Sequence, residues 1–281
     1  MRIGSREFDV GNETYVMGIL NVTPDSFSDG GKWNSMDRAL EHVEEMLKEG
    51  MDILDIGGES TRPGQDYSMS AQEELERVLP CIEAVKARFD VPLSLDTYKS
   101  QVAEAGIAAG VDLINDIWGL KWDPGMARVI AESGVACCLM HNRRETGPGS
   151  AAENPYGYQN FLGDVKADLV RSAELAREAG IAWERIILDP GVGFAKSYEQ
   201  NLVILHHLEC LRALGYPILL GTSRKSVVGL TLNLPVTERL EGTLATTVLG
   251  VLKGCAFVRV HDVKENMRAI RMTRAIMRAG G

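Results

Sequence analysis

The run Tyr15-Val16-Met17-Gly18-Ile19-Leu20-Asn21-Val22-Thr23-Pro24-Asp25-Ser26-Phe27-Ser28-Asp29-Gly30-Gly31 decides how the rest of the chain is read. Its first six residues form an apolar strand. At Asn21 the run turns polar and opens into a loop of Asp, Ser, Pro and Gly, the composition of a mobile backbone crowded with oxygen atoms. A strand that ends in a lone carboxamide beside such a loop offers a place for a cation and an anionic ligand. The same composition also makes an ordinary surface turn, so the other strands have to decide between the two.

Working outward, seven more short apolar runs follow the first: Ile53–Ile56, Pro92–Leu95, Asp112–Ile114, Ala136–Met140, Arg185–Leu188, Ile218–Leu220 and Ala256–Val260. They are apolar on both faces, as strands of a covered parallel sheet should be. Amphipathic helical runs separate them, with Leu40, Val43 and Leu47 on one face of the first and Leu162, Val165, Leu169 and Ala176 on one face of the fifth. Ser70 with Glu73, Ser197 with Gln200 and Asp262 with Glu265 have capping-box spacing, and Asp123-Pro124 offers an N-cap followed by Pro at the first helical position. Gly50, Gly110, Gly134, Gly180, Gly215 and Gly254 each close a helical run shortly before the next strand, where a left-handed cap favours Gly. Residues 1–14 precede the first strand and suit a hairpin. Eight strands alternating with eight helices predict an α/β protein, a (β/α)₈ barrel filling residues 1–281 as one domain. The alternative is an open doubly wound sheet, but no Gly-x-Gly-x-x-Gly turn follows the first strand.

The composition narrows the function. A formal net charge of −9 over 281 residues argues against nucleic acid as a partner while leaving room for a small anion held by a local basic cluster. Cys81, Cys137, Cys138, Cys210 and Cys255 lack metal-ligand spacing and read as reduced core thiols of a cytoplasmic protein. No stretch approaches the ~20 apolar residues of a membrane span, and Met1-Arg2-Ile3-Gly4-Ser5 lacks a signal-peptide core.

In a barrel of this kind the chemistry gathers at the C-terminal ends of the strands. Every strand end here is polar: Asn21, Glu59-Ser60-Thr61-Arg62-Pro63-Gly64, Asp96-Thr97, Asn115-Asp116, His141-Asn142, Asp189-Pro190-Gly191-Val192-Gly193-Phe194, Ser223-Arg224-Lys225-Ser226 and Arg259-Val260-His261. Singly, each is as well a cap or a turn; Asp96, Asp123 and Asp262 could all be N-caps. Together they mark an enzyme site. Arg62, Lys225, Arg259 and His261 suit a phosphate-type anion. Asn21 suits Mg²⁺, which keeps most of its waters and takes further ligands from such an anion. Asp96, Asn115 and Asp189 can pair with ring N–H and amino groups of a flat heterocycle, while Phe27, Met140 and Phe194 offer apolar surface, although Met140 equally suits the core. Asp55 in mid-strand needs a buried partner, and Asp52 and Asp112 face the other end of the barrel. The expected ligand is a nitrogen heterocycle joined to a phosphate or diphosphate.

The same motifs, His141-Asn142 apart, together with Gly57-Gly58 before Glu59 and Asp262 after His261, resemble the bacterial dihydropteroate synthase family of pterin-binding barrels, in order and over nearly the whole chain. The resemblance implies a usually dimeric transferase that joins 6-hydroxymethyl-7,8-dihydropterin diphosphate to 4-aminobenzoate, giving 7,8-dihydropteroate and diphosphate for folate synthesis. It implies that Asn21 holds Mg²⁺ with Asp29 nearby, and that Thr61, Arg62, Arg259 and His261 meet the diphosphate. Asp96, Asn115, Asp189 and Lys225 would hold the pterin edges, with Arg259 stacking on the ring. Phe27, Pro63, Phe194 and Ser226 would shape the aminobenzoate pocket. Two departures stand out: His141-Asn142-Arg143-Arg144 differs from the longer Met- and Gln-containing segment common in the family, and Ala195 stands where Gly is frequent. A pterin-dependent methyltransferase shares the ring pocket but has no need of the Thr-Arg-Pro-Gly loop, or of Arg259 and His261 over a diphosphate. A non-catalytic pterin-binding paralogue would be expected to lose Lys225, Asp96 or the first loop.

Overall fold

The computed structural model describes residues 1–22, 31–59, 69–143 and 156–279. Strands β1 (Arg2–Ile3) and β2 (Arg6–Glu7) pair as an antiparallel hairpin. Eight parallel strands follow: β3 (Tyr15–Asn21), β4 (Ile53–Gly57), β5 (Leu93–Asp96), β6 (Leu113–Asp116), β7 (Ala136–Met140), β8 (Ile186–Asp189), β9 (Leu219–Leu220) and β10 (Phe257–Val260). Each lies beside its sequence neighbours, and β10 pairs with β3. A single bridge, Leu188 to Ile218, joins β8 to β9 and completes the ring. The chain is a (β/α)₈ barrel.

The helices are α1 (Gly31–Glu49), α2 (Ala71–Arg88), α3 (Ser100–Ala108), α4 (Met126–Ser133), α5 (Phe161–Glu178), α6 (Tyr198–His206), α7 (Glu209–Arg212), α8 (Ser226–Leu232), α9 (Leu240–Leu252) and α10 (Val263–Arg278). Two connections that read as single helices in the sequence are split, into α6 with α7 and α8 with α9. The capping boxes at Ser70 and Ser197 form as the spacing predicts. Asp262 does not cap α10; its carboxylate is occupied by Arg224. Asp123 likewise caps a neighbour in place of α4: it accepts from the N–H of Ser100, at the start of α3, at 2.7 Å and from Gly125 N–H at 2.8 Å. All six predicted stop glycines have positive φ, from 69° at Gly134 to 105° at Gly110.

Alternation along the strands divides the core in two. Val16, Leu20, Leu54, Ile56, Leu93 and Leu95 point outward and pack under the helices, where Val43, Val165 and Leu169 meet them. Met17, Ile53, Leu113, Cys138, Ile187, Leu219 and Phe257 fill the lower barrel interior, and Ile3 and Phe8 from the N-terminal segment close it from below. The Phe8 ring stands edge-on to Tyr15 at 4.8 Å. Asp52 and Asp112 are structural, as their positions suggest. Asp52 accepts Val16 N–H at 2.9 Å and pairs with Arg6 at 2.5 Å, and Asp112 accepts Leu93 N–H at 3.0 Å and pairs with Lys86 at 2.8 Å. Among the described residues no helix is long and apolar enough to cross a membrane.

Candidate active site

Two residues above that apolar plug, the inward positions become polar. The guanidinium of Arg259 on β10 donates through Nε to Asp55 on β4 at 2.6 Å and through Nη2 to Asp96 on β5 at 2.7 Å. Asp55 is fully buried and Asp96 nearly so, yet Asp55 Oδ1, Asp96 Oδ1 and the neighbouring Ser94 Oγ have no hydrogen-bond partner among the described residues. Such atoms are costly to bury unless a ligand meets them. Burial opposes the charge of Arg259, but Asp55 and Asp96 outweigh it and raise its pKa. Asp96 is pushed up to about 7 by burial, with Arg259 opposing and Asp55 reinforcing the shift. A carboxyl so placed can change protonation near neutrality when a partner arrives. Asn115 on β6 sits beside Asp96 in register and is buried.

Across the mouth, Asp189 closes β8 in register with Met140 of β7. Burial raises its pKa, against the pull of Lys225 and the Gly191 N–H. The Lys225 ammonium, lowered to about 8 by burial with Asp189 opposing, donates to Val192 O at 2.7 Å and lies 4.9 Å from the centre of the Phe194 ring. A Cβ on Gly221 would lie 3.7 Å from both Asp189 Oδ2 and Lys225 Nζ, and one on Gly57 would lie 3.5 Å from Asp96 Cβ. The two glycines leave the floor between these polar groups open. Met140 belongs to the wall of this mouth: with Phe194, Tyr98, Ile117 and Trp118 it forms a buried cluster separate from the layer under the helices.

Asn21 ends β3 with an exposed side chain whose Oδ1 would lie 3.9 Å from a Cβ on Gly57. His261 places Nδ1 2.9 Å from Ser223 Oγ and its own N–H 3.1 Å from the same oxygen, which ties it to the strand end that carries Lys225. Ser226 is exposed at the first position of α8. The structure thus gathers Asp96, Asn115, Met140, Asp189, Phe194, Lys225 and Arg259 around one mouth, with Asn21, Ser226 and His261 at its rim. Phe27, Asp29, Thr61, Arg62 and Pro63 lie outside the described residues.

Residues 17–261 match the family of pterin binding enzymes. The dihydropteroate synthase of Clostridium beijerinckii is 57% identical over 279 residues, 99% of this chain and 100% of that one. The chain belongs to the dihydropteroate synthase family. A crystal structure of the Clostridium difficile dihydropteroate synthase, determined in the presence of pteroic acid, matches with a TM-score of 0.90 and 50% identity over 97% of this chain and 100% of that one. The Yersinia pestis dihydropteroate synthase in complex with a sulfonamide drug matches with a TM-score of 0.87 and 42% identity over 99% of both chains. At this identity over the full length of enzymes named dihydropteroate synthase the chain is a transferase of that kind, and the methyltransferase and non-catalytic alternatives fall away.

Several supports of this synthase fold escape a reading of strand ends. Asp55 carries the only strong hint, a carboxylate in an apolar strand. At the root of the second loop, Lys99 Nζ bridges Glu59 at 2.7 Å and the buried Glu74 at 2.6 Å, Tyr98 donates to Glu59 at 3.1 Å, and Arg77 donates to Gly58 O at 3.1 Å. Behind the β7 and β8 ends, the buried Lys196 contacts His141 Nδ1 at 2.8 Å, and His141 Nε2 lies 3.0 Å from Asp168. Burial and the Lys196 charge lower His141 to about 3, so the ring is neutral. Burial also pulls Lys196 well below the usual lysine range. A neutral ring facing a carboxylate at Nε2 keeps its proton there, which leaves Nδ1 as an acceptor. With two carbonyls as its other neighbours, Lys196 faces three acceptors, a set that the ammonium form satisfies.

Proposed function

We propose that the mouth divides the synthase reaction between two faces. Asp96, Asn115, Asp189 and Lys225 bind the polar edges of the pterin, with Ile117, Met140 and the Arg259 guanidinium against its faces. Thr61, Arg62, His261 and Arg259 meet the diphosphate, with Asp29 near the Asn21 metal position, and Phe27, Pro63, Phe194 and Ser226 enclose the aminobenzoate. The observation that carries this reading is the buried Arg259 clamp, whose two carboxylates each keep one oxygen without a partner among the described residues, beside an open floor. A ligand with several N–H donors satisfies those oxygens.

Among the described residues the one His, Cys, Asp or Glu triple with metal-ligand proximity is His207, Glu209 and Cys210, at the other end of the barrel, where Glu209 is paired with Lys253 at 2.7 Å. The mouth instead offers Asn21, a single neutral oxygen ligand. That fits Mg²⁺, which takes few protein ligands and completes its shell with water and phosphate. When bound by Asn21 and the diphosphate, Mg²⁺ supplies neutralisation of the leaving group's charge. The bond from the exocyclic methylene carbon to the diphosphate oxygen breaks with its electron pair leaving on oxygen. Arg259 and His261 stabilise that charge while the pterin, held by Asp96 and Asp189, delocalises the cation. The neutral arylamine then forms the C–N bond and loses a proton to solvent, so no strong general base is required.

Two further features belong to this reading. Leu230, Leu252, Met272 and Ile276 are more than half exposed on α8, α9 and α10, a surface suited to a homodimer. The five cysteines are free, and four are buried, as suits a cytoplasmic chain whose single barrel domain carries the whole site.

Release of diphosphate, measured with and without 4-aminobenzoate, tests the assignment. Asn21→Ala and Lys225→Ala are each expected to cut turnover by about 10²-fold or more while the fold stays intact by circular dichroism. Turnover within a few-fold of wild type in both variants overturns it. Sulfonamides are expected to compete with 4-aminobenzoate and not with the pterin; undiminished turnover in saturating sulfonamide rejects the aminobenzoate pocket.

A further inference from the structure

The turn after β8, Gly191-Val192-Gly193-Phe194-Ala195, has an unusual number of outside supports. Lys196 Nζ donates to Gly191 O at 2.9 Å and to Phe194 O at 3.0 Å, Lys225 Nζ to Val192 O at 2.7 Å, and the Tyr158 hydroxyl to Ala195 O at 3.0 Å. From the other side, Gly191 N–H donates to Asp189 Oδ1 at 2.7 Å and Gly193 N–H to Asn201 Oδ1 at 2.6 Å. The backbone needs this support. Gly191 and Gly193 have φ of 66° and 86°, and Ala195 adopts φ 48°, a left-handed conformation costing an L-residue roughly 1–2 kcal/mol.

Lys196 stands at the centre of these contacts. It spans the turn by joining the first carbonyl to the fourth, and its third contact, His141 Nδ1, fixes it to β7. His141 is braced in turn by Asp168 of α5, which also accepts from Arg143 Nε at 2.5 Å. The turn lies directly on this brace: a Cβ on Gly191 would come within 2.0 Å of His141 O. Lys196 is buried beneath the turn, where it meets Phe194 through the backbone carbonyl, and among the described residues it makes no hydrogen bond to a group assigned to pterin or diphosphate, so binding of those groups does not account for a buried lysine there.

We propose that Lys196, assisted by Tyr158, is a positioning residue for the second substrate: it sets Phe194 against the aminobenzoate ring by holding the two carbonyls that define the turn. The proposal rests on the reading of Phe194 as part of the aminobenzoate pocket. It separates the two substrates, because Asp96, Asn115 and Asp189 stand on strands while the backbone that carries Phe194 belongs to the turn. Displacement of a pocket wall by about an ångström is enough to cost a large factor in productive binding.

Lys196→Met removes the three donors and keeps the length of the side chain. It is expected to raise the KM for 4-aminobenzoate and the inhibition constant of a sulfonamide about tenfold together, with the KM for the pterin diphosphate moving less than about threefold. Tyr158→Phe, which loses one hydroxyl, is expected to shift the same two constants by about two- to threefold. Because the effect runs through Phe194, Lys196→Met placed on Phe194→Ala is expected to add less than about twofold. Parallel rises in both KM values, or an additive double variant, would show a merely structural lysine and overturn the proposal. Should Lys196→Met fail to fold, Tyr158→Phe and its double with Phe194→Ala carry the same two criteria, and an unchanged aminobenzoate KM in Tyr158→Phe overturns it. A raised KM in Phe194→Ala with none in Lys196→Met removes the positioning role alone. An unchanged KM in Phe194→Ala removes the pocket reading and the proposal with it.

Discussion

The two ends of the barrel both set aspartates against cationic partners, and they treat them differently. At the lower end Asp52 and Asp112 each receive a backbone N–H from a barrel strand and a cationic partner, around a floor filled by Phe8, Ile3 and Phe257. At the upper end Asp55 and Asp96 share one guanidinium, and each keeps an oxygen that none of the described residues satisfies. The same residue type is a structural fastener at one end and a buried demand for a ligand at the other. Burial of an aspartate is therefore uninformative by itself; the accounting of its hydrogen bonds separates support from site.

The strongest test of that division is to damage the lower end. Phe8→Ala removes a buried ring from the plug and is expected to cost about 3–5 kcal/mol of stability. At a temperature where the variant remains folded, diphosphate release is expected within about twofold of wild type, because nothing at the upper rim depends on that ring. Loss of turnover without loss of fold would mean the ends are coupled. The reverse experiment is Asp96→Asn, expected to lower turnover by about 10²–10³-fold with the fold preserved. Asp112→Ala is milder than either. It leaves Leu93 N–H without its acceptor and frees Lys86 to turn toward water, for an expected loss of about 1–3 kcal/mol in urea unfolding. Its KM values are expected to stay at wild type, and a changed pterin KM would break the comparison.

Much of the upper end was legible because strand ends in a parallel barrel are functional by position. Once the eight apolar runs are placed, Asp96, Asn115, Asp189, Lys225 and Arg259 follow without knowledge of side-chain contacts. The stop glycines and the capping boxes at Ser70 and Ser197 are local and read correctly for the same reason. The failures are contacts between distant parts of the chain. Asp262 has the spacing of a helix cap, but Arg224, 38 residues away, occupies its carboxylate. Asp55 could not be assigned because its partner Arg259 is 204 residues distant. Lys196 follows a glycine-rich turn and resembles a solvated loop charge, and only the packed structure shows it buried against two carbonyls. The role of the N-terminal segment was hidden too, since nothing in residues 1–14 says which end of a barrel they close.

The smallest effect sharpens the comparison most, because it concerns stability at the functional end. Burial holds the Asp96 carboxyl at about 7, above its ordinary value of 3.8, even with Arg259 beside it. Between about pH 4 and pH 7 the folded chain therefore keeps a proton that the unfolded chain has released. Stability then falls as pH rises through that window, and the cost is fully present above it. Asparagine has no proton to release, and in Asp96→Asn its side-chain oxygen can still accept from Arg259, which keeps Asp55 at 2.6 Å. The melting temperature of the variant relative to wild type is thus expected to climb from pH 4 to pH 7 and level off above pH 7, in a protein that has lost its turnover. Thermal unfolding of both proteins across pH 4–8 measures this directly. A difference that stays flat, or moves toward wild type as pH rises, would mean that burial does not penalise the charged form of Asp96, and the demand at the upper end would lose its energetic basis.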